Sequence, residues 1–335
     1  MLTKIPLLGR LDPFILGILI TVGIASLVPA EGTALTAFGW AVKVAIGLLF
    51  FLYGTRLSSR EALHGLRHWR LHVTILAATF VLFPILGIAA RFLVPSILTQ
   101  PLYLGILYVC LLPSTVQSSI AFVSIARGNV PGAIVSASFS NLLGIFVTPL
   151  LVALLMTTEG SGFDASSVVG ILFMLLLPFI AGQVVQRWIG TWVKEHGAPL
   201  KIVDRGSILL VVYVAFSEGM NEGIWSTLSV GRLFALLVVC AILLAIVLSV
   251  TWFGSTRLGF SKQDQITITF CGSKKSLATG LPMATVLFAS QPIGLIVLPL
   301  MLFHQLQLLV CAWMAGRLAR RTDDDDAELA TTRSR

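Results

Sequence analysis

A succession of long apolar runs, separated by short polar loops, is the feature that most constrains how this chain can fold. Most of the runs are long enough to cross the apolar core of a bilayer as a helix. A backbone in that core must satisfy its own hydrogen bonds, and a helix does so without a partner segment. The pattern therefore predicts an all-α polytopic membrane protein of about ten transmembrane helices. The predicted spans lie near residues 14–28, 35–55, 72–94, 102–126, 130–156, 167–189, 206–217, 232–253, 265–288 and 292–316.

Composition and charge agree with this fold class and argue against a nucleic-acid-binding protein. Of the 335 residues, 56% are hydrophobic and 11% are charged, whereas a soluble domain has about 25% charged residues. The net charge is +8, but all but five of the 23 basic residues lie near the chain termini or in alternate loops. The other loops carry Glu31, Glu159, Asp164, Glu218 and Glu222. By the positive-inside rule, this alternation predicts an even number of spans and two cytoplasmic termini. The sequence has no Asn-x-Ser/Thr sequon, which fits the plasma (inner) membrane.

Two predicted spans are interrupted by polar residues at corresponding places in the two halves of the chain. Span four contains LLPSTVQSSIAF (111–122), and span nine contains FCGSKKSLATG (270–280). The span after each interruption has a proline, Pro149 or Pro299. Because five spans per half is an odd number, the second half must run inverted, and broken helices in inverted repeats are typical of transporter substrate sites. A simple kink is the alternative.

The same pattern divides the chain into three parts. We predict a first five-helix repeat over residues 1–160 and a second, inverted one over residues 161–318. The remaining residues, 319–335, contain an acidic run and are expected to form a disordered cytoplasmic tail.

Few charged side chains fall inside the predicted spans, and two of them suggest a function. No carboxylate lies at the centre of a span, but Lys274 and Lys275 fall in the second interruption. A lysine at the bilayer centre costs about 3 kcal/mol, so it is a functional candidate by default. An interruption that reaches water and hydrates both lysines is the alternative. His304 also lies within a span, where it could relay a proton together with Lys274 or serve a structural role.

Hydroxyl and amide side chains near the two interruptions complete the predicted binding site for substrate or ion. Ser136 and Ser140 share one face of span five, and this face is expected either to line a cavity or to pack against another helix. No metal site and no cofactor are expected. The full set of candidates is Ser114, Thr115, Gln117, Ser118, Ser119, Ser136, Ser140, Asn141, Ser273, Lys274, Lys275 and Ser276.

The two interrupted segments resemble a known family. The stretch Leu111–Val152 and the string FCGSKKSLATGLPMA (270–284) are similar to the bile acid:sodium symporter superfamily. More narrowly, they resemble its SBF-like branch, which includes the seventh member of solute carrier family 10 and bacterial relatives. The resemblance covers essentially the whole chain. It implies ten helices, inverted five-helix repeats with two broken crossing helices, a panel domain, a core domain, and transport by alternating access.

The sequence departs from the sodium-coupled members of that superfamily at their ion sites. Those members usually have a glutamate and a glutamine that help to ligate sodium in span nine. Here Phe270 stands at the glutamate position, and Lys274 and Lys275 stand at the glutamine and asparagine positions. A hard cation needs oxygen ligands. We therefore hypothesise that the sodium sites are degraded and that Lys274 acts as a built-in cation, so that transport is proton-coupled or uncoupled. In span four, where those members usually have a Gly-Gly…Ser-Asn pattern, the matching positions are Ser114, Thr115, Ser118 and Ser119.

The leading functional interpretation is a secondary transporter of an organic anion, because lysines, helix N-termini and hydroxyls favour negative substrates. A sodium-coupled organic anion symporter is one alternative. A non-transporting regulator of ion (calcium) homeostasis, which eukaryotic relatives of the branch suggest, is another. No paired carboxylates and no oriented nucleophile–base set are recognisable, so an enzyme is not expected. The expected partners are a small anionic molecule, the lipid bilayer and a coupling ion, either H+ or Na+.

Overall fold

A computed structural model describes residues 13–56, 68–156, 165–221, 223, 229–288 and 293–333 of the chain. These residues form helices and connecting loops and contain no β-strand, so the predicted all-α class is confirmed for them. The helices are α1 (Pro13–Leu27), α2 (Gly32–Arg56), α3 (Trp69–Leu93), α4 (Gln100–Leu111), α5 (Gln117–Ile125), α6 (Val130–Met156), α7 (Ala165–Glu195), α8 (Gly197–Asn221), α9 (Val230–Arg257), α10 (Lys262–Gly272), α11 (Leu277–Leu287) and α12 (Ile293–Arg333).

Five helices in the described part of the chain are long and apolar enough to cross a bilayer. They are α2, α3, α6, α9 and the Ile293–Arg320 part of α12. Large apolar side chains on these helices point outward, among them Val44, Phe234 and Phe253. Such continuous apolar exposure is unfavourable in water and favourable in lipid. The helices therefore support a multi-pass membrane protein, and the total of ten spans stays a prediction.

The chain divides into two compact units that do not follow the chain order. The first unit comprises Met1–Leu57, Val169–Ser229 and Leu281–Leu295. The second unit comprises Ser58–Val168, Val230–Gly280 and Ile296–Arg335. The predicted repeat boundaries at 1–160 and 161–318 stay predictions. The helical backbone of α12 continues to Arg333, and disorder of the tail over 319–335 in solution likewise stays a prediction.

In the first unit, α1 and α2 both pack against α8, and α2 also packs against α7 at a pair of glycines. A methyl group at Gly54 would overlap the carbonyl oxygen of Phe179 and would lie 3.1 Å from the Cα atom of Gly182. A methyl group at Gly182 would in turn overlap the carbonyl oxygen of Phe51. Small residues allow membrane helices to approach this closely, and the close approach replaces the hydrophobic driving force that lipid does not supply.

In the second unit, two helices are interrupted where the sequence predicted. The first interruption, Leu112–Val116, separates α4 from α5, and the second, Ser273–Ser276, separates α10 from α11. Gly144 of α6 packs directly against the ring of Pro113, leaving no room for a side chain. A further irregularity, which the sequence analysis did not predict, is a π-helical turn at Ala78–Leu82 within α3.

We expect Gly54→Ala to lower the free energy of unfolding by about 1–3 kcal/mol, because the added methyl group must push two backbones apart. Thermal unfolding of the purified protein in detergent measures this change. Gly47→Ala is the matched control, since it adds the same methyl group to the same helix and meets no atom within 4 Å. Equal melting temperatures for the two variants would contradict the close contact between α2 and α7.

Candidate functional site

The two interruptions meet inside the second unit. The amide N–H of Ser276 donates to the carbonyl oxygen of Pro113 at 2.9 Å. The hydroxyl of Ser114 donates to the carbonyl oxygen of Cys271 at 2.6 Å, and the amide N–H of Ser114 donates to the Ser140 hydroxyl at 3.1 Å. A helix end leaves backbone groups without intrahelical partners. Each of these bonds satisfies one such group with an atom from the other interruption or from α6.

The ammonium group of Lys275 is fully buried, and its hydrogen-bond acceptors among the described residues are backbone carbonyl groups. Nζ donates to the oxygens of Thr79 at 2.9 Å, Cys110 at 3.0 Å and Leu112 at 2.7 Å. The centroid of the Phe83 ring lies 4.0 Å from the same nitrogen, and the negative face of an aromatic ring also favours a cation. Because an ammonium group has three N–H donors, Lys275 is fully hydrogen-bonded without a carboxylate.

The π turn of α3 explains why the carbonyl group of Thr79 is available. In this turn the N–H of Phe83 donates to Ala78, five residues back. The donor that would reach Thr79 in the same pattern belongs to residue 84. That residue is Pro84, which has no N–H. The chain thus presents to Lys275 a carbonyl group that the helix itself does not use in this pattern.

The C-terminal end of α4 supplies the other two carbonyl groups. The carbonyl oxygen of Leu111 accepts a hydrogen bond from the Thr148 hydroxyl at 2.8 Å, while those of Cys110 and Leu112 accept from Lys275. The unsatisfied carbonyls of a helix end carry roughly half a negative charge. A cation at this position therefore interacts favourably with the whole of α4 as well as with its nearest atoms.

Lys274 is as buried as its neighbour, but its ammonium group has no hydrogen-bond acceptor among the residues that the structure describes. Nζ lies 3.7 Å from the centroid of the Phe122 ring, which belongs to α5. The thiols of Cys271 and Cys311 are near enough to interact with it electrostatically. Burying a charge without a partner is costly. A negatively charged ligand beside Lys274 would recover part of that cost.

Gln307 of α12 fixes the backbone of the second interruption. Its Oε1 accepts from the amide N–H of Lys275 at 2.9 Å, and its Nε2 donates to the carbonyl oxygen of the same residue at 2.9 Å. Because the N–H of Lys275 can only donate, this orientation of the amide is determined. Nε2 of Gln307 also lies 2.8 Å from Nδ1 of His304, so that Nδ1 accepts and a neutral His304 carries its proton on Nε2. The relay between Lys274 and His304 stays a prediction.

A short chain of hydrogen bonds connects the second interruption with α6. The Thr279 hydroxyl donates to Oδ1 of Asn141 at 2.8 Å, and the Ser276 hydroxyl donates to Thr279 at 2.9 Å. The Ser276 oxygen also accepts from the amide N–H of Thr279 at 3.2 Å, which is the normal arrangement of a serine that caps a helix N-terminus. On the C-terminal side, the Tyr108 hydroxyl donates to the carbonyl oxygen of Gly280 at 2.7 Å.

The first interruption has a more open side. The hydroxyls of Thr115 and Ser118 are 3.5 Å apart and half-buried, and the Gln117 side chain is exposed. Ser119 is fully buried, and its hydroxyl has no hydrogen-bond partner within the described ranges. These residues begin α5, whose N-terminal amide groups carry partial positive charge.

Of two further predicted residues, Ser273 lies in an interruption and Ser136 does not. Ser273 is fully buried in the second interruption. Ser136 lies one turn from Ser140 on α6, but its hydroxyl is 2.6 Å from Nδ1 of His72 on α3. Sharing a helix face therefore did not bring Ser136 to the interruptions, because α3 covers that part of the face.

The sequence analysis missed residues that are neutral and polar. Thr79, Tyr108, Thr148, Thr279 and Gln307 all contact the interrupted backbone. Four of them lie outside the two polar strings at 111–122 and 270–280, whereas Thr279 lies within the second string. A glutamine in an apolar span is also costly to bury without partners, and this cost was the available signal for Gln307.

The chemistry of the assembled site is that of binding. Among the described residues, no group of three or more His, Cys, Asp or Glu side chains could hold a metal ion. In the part of the chain that the structure describes, the two lysines lie against carbonyl oxygens, aromatic rings and thiols. The site can hold a cation among the carbonyl groups and an anion beside Lys274.

Comparison with known proteins identifies the family. A model of the SBF-like CPA transporter family matches residues 12–320. The chain belongs to this family. The match agrees with the resemblance predicted from the two interrupted segments, and it covers every helix that contributes to the site.

Relatives of this family member support a transporter and include bacterial and animal proteins. The protein PA2026 of Pseudomonas aeruginosa is 54% identical over 97% of this chain and 98% of its own. YfeH of Escherichia coli, whose name proposes a symporter, is 49% identical over 95% of this chain and 96% of its own. Sodium/bile acid cotransporter 7 of Rattus norvegicus is 30% identical over 92% of this chain and 95% of its own. The names of the last two proteins describe transport and not catalysis.

We expect Gln307→Leu to lower the free energy of unfolding by about 2 kcal/mol or more. The substitution removes the Gln307 hydrogen bonds of the buried N–H and C=O of Lys275, and a buried polar group that loses its partner costs about 1–3 kcal/mol. Thermal unfolding in detergent measures the change. Gln305→Leu, in the same helix two residues earlier, is the control and should have little effect. Similar losses in both variants would contradict the role assigned to Gln307.

Proposed function

We propose that this protein is a secondary active transporter that moves a small organic anion across the plasma (inner) membrane by alternating access. Its architecture would be ten spans in two inverted five-helix repeats, with both termini in the cytoplasm. Family membership and the two interrupted helices, each followed by a helix with an internal proline, support this architecture. The two compact units support a division into panel and core domains. The test is a fusion of the C-terminus to a reporter enzyme that is active only outside the cytoplasm. Activity of this fusion would refute the proposed topology.

The single observation that carries the anion as substrate class is the ammonium group of Lys274, buried and without an acceptor in the described residues. Two half-helices begin directly after the interruptions, at Gln117 and Leu277. Helix N-termini of this kind favour negative groups. The hydroxyls of Thr115, Ser118 and Ser119 add hydrogen-bond donors on the first side. A carboxylate or sulfonate would thus find both charge and directed donors.

We further propose that transport does not depend on sodium. Sodium sites need oxygen ligands, and charged ones are preferred. The second interruption has two buried ammonium groups and no carboxylate, so a sodium ion there would meet like charge. The hypothesis that Lys274 stands at the place of an ion ligand rests on this arrangement. The coupling ion would then be a proton, or transport would be uncoupled.

The names of the animal relatives favour a second candidate. The name sodium/bile acid cotransporter 7 describes the joint transport of sodium and a solute. A sodium-coupled organic anion symporter is therefore the principal alternative. A non-transporting regulator of ion (calcium) homeostasis is a further one. Counter-flow of a labelled anion in proteoliposomes would distinguish either transporter from the regulator.

We expect Lys274→Gln to weaken anion binding by about 10–100-fold, the effect of losing one charge-assisted hydrogen bond in a buried site. The measurement is the thermal shift of the purified protein with choline salts of aliphatic and aromatic carboxylates and sulfonates. Lys43→Gln is the control, because Lys43 is exposed. An anion that stabilises the wild type and Lys274→Gln equally would refute the role of Lys274 as the substrate cation.

We expect sodium chloride and choline chloride at matched ionic strength to give the same melting temperature for the wild type. An ion that binds only the folded state raises stability by linkage. A functional sodium site would therefore make the melting temperature higher in sodium chloride than in choline chloride, and the rise would saturate with sodium concentration. A sodium-specific rise would restore the sodium-coupled alternative and exclude degraded sodium sites.

A further inference from the structure

The three carbonyl groups around Lys275 have the features of a site for a monovalent cation. They converge on one point at 2.7–3.0 Å, and the ring of Phe83 faces the same point. Carbonyl oxygens arranged in this way replace the water around small cations in channels. We call these three carbonyl groups and the Phe83 ring the cage. The cage contains no carboxylate, and it surrounds a single positive charge whose N–H groups donate to the carbonyl oxygens.

Two separate parts of the chain create this cage. Pro84 removes the backbone donor that the π turn would otherwise offer to Thr79. The end of α4 exposes the carbonyl group of Cys110, because the N–H of Ser114 donates to the Ser140 hydroxyl instead. In a regular helix a backbone N–H would donate to each of these two carbonyl groups. Here neither N–H does so, and both carbonyl oxygens can accept from Lys275.

Lys275 thus differs from an ordinary buried lysine, which needs a carboxylate. Its side chain enters the cage from the second interruption, and its own backbone is fixed by Gln307. The ammonium group joins α3 and α4 to the segment that precedes α11. It connects these elements as a bound ion would, with the difference that it is attached to the chain.

We propose that the carbonyl groups of Thr79, Cys110 and Leu112 form a cation site whose resident ligand is the ammonium group of Lys275. When the side chain is removed, the site accepts a free ammonium ion or a short primary alkylammonium ion. The inference concerns Lys275, whereas the proposed anion site concerns Lys274. The test of the cation site uses neither substrate nor transport. The cation site can therefore be refuted while the proposed function holds, and the proposed function can be refuted while the cation site holds.

The test is chemical rescue of Lys275→Ala, measured as thermal unfolding in detergent. Alanine lacks the three terminal carbons and the nitrogen of lysine, which together correspond to propylammonium. We expect the variant to melt about 5 °C or more below the wild type, because three buried carbonyl groups lose their donors. Ammonium and propylammonium chloride should recover part of this loss in a saturable manner. Tetramethylammonium chloride, which has no N–H donor, should not.

Two variants control for folding and for the neighbouring charge. Lys275→Met fills the space with an apolar chain of similar length and should not respond to propylammonium. Lys274→Ala removes a buried lysine that lacks these carbonyl partners, and it should respond to propylammonium no more than the wild type does. Equal responses of Lys275→Ala to propylammonium and tetramethylammonium, or a rescue of Lys274→Ala as large as that of Lys275→Ala, would overturn the proposal.

A measurement on the wild type covers the case in which Lys275→Ala does not fold. In protein labelled with 15N-lysine, the ammonium protons of Lys275 should exchange slowly with water, because three hydrogen bonds hold them in a buried site. The corresponding signal should disappear in Lys275→Met and remain in Lys274→Met. Rapid exchange of every lysine ammonium group in the wild type would overturn the proposal.

Discussion

Backbone groups released by a broken helix must find partners, and in an apolar surrounding this requirement governs the arrangement of the whole second unit. Each unpaired group there costs several kcal/mol. The carbonyl groups of Cys110 and Leu112 are satisfied by the ammonium of Lys275, and the amide of Ser276 is satisfied by Pro113. One interruption therefore supplies the partners of the other. Because of this reciprocity, neither break could be relaxed into a regular helix without leaving groups in its counterpart unpaired.

Two adjacent lysines have opposite environments as a consequence. The two lysines are neighbours in a non-helical segment, and Lys275 reaches the end of α4 while Lys274 reaches the Phe122 ring on α5. The first ammonium group is used to hold the structure together. The second one is buried at the same cost and is not used in this way by the described residues. On the proposed function, the charge that a ligand would use is therefore the one at Lys274.

The sequence alone predicted the elements of this site better than their partners. Polar runs inside apolar spans indicated both interruptions, and they lie where α4 gives way to α5 and α10 to α11. The hypothesis that Lys274 acts as a built-in cation stays a prediction. The carbonyl partners of Lys275 come from α3 and α4, and they could not be predicted from the sequence because tertiary packing decides them. Ser136 and Ser140 share a helix face, yet only Ser140 reaches an interruption. Gln307 was missed because a neutral amide in an apolar helix carries no charge signal.

On the proposed assignment, a tethered cation limits how transport can be coupled to an ion gradient. A coupling ion delivers free energy only if it binds on one side of the membrane and leaves on the other. The ammonium group of Lys275 is covalently attached, so as long as it keeps its proton its site can stabilise the core but cannot bind and release a second cation. Coupling must then use a group that exchanges with water, either a proton or the anionic solute itself. On the proposed function this group is Lys274, because no described acceptor holds its ammonium group and an arriving anion would change its charge environment.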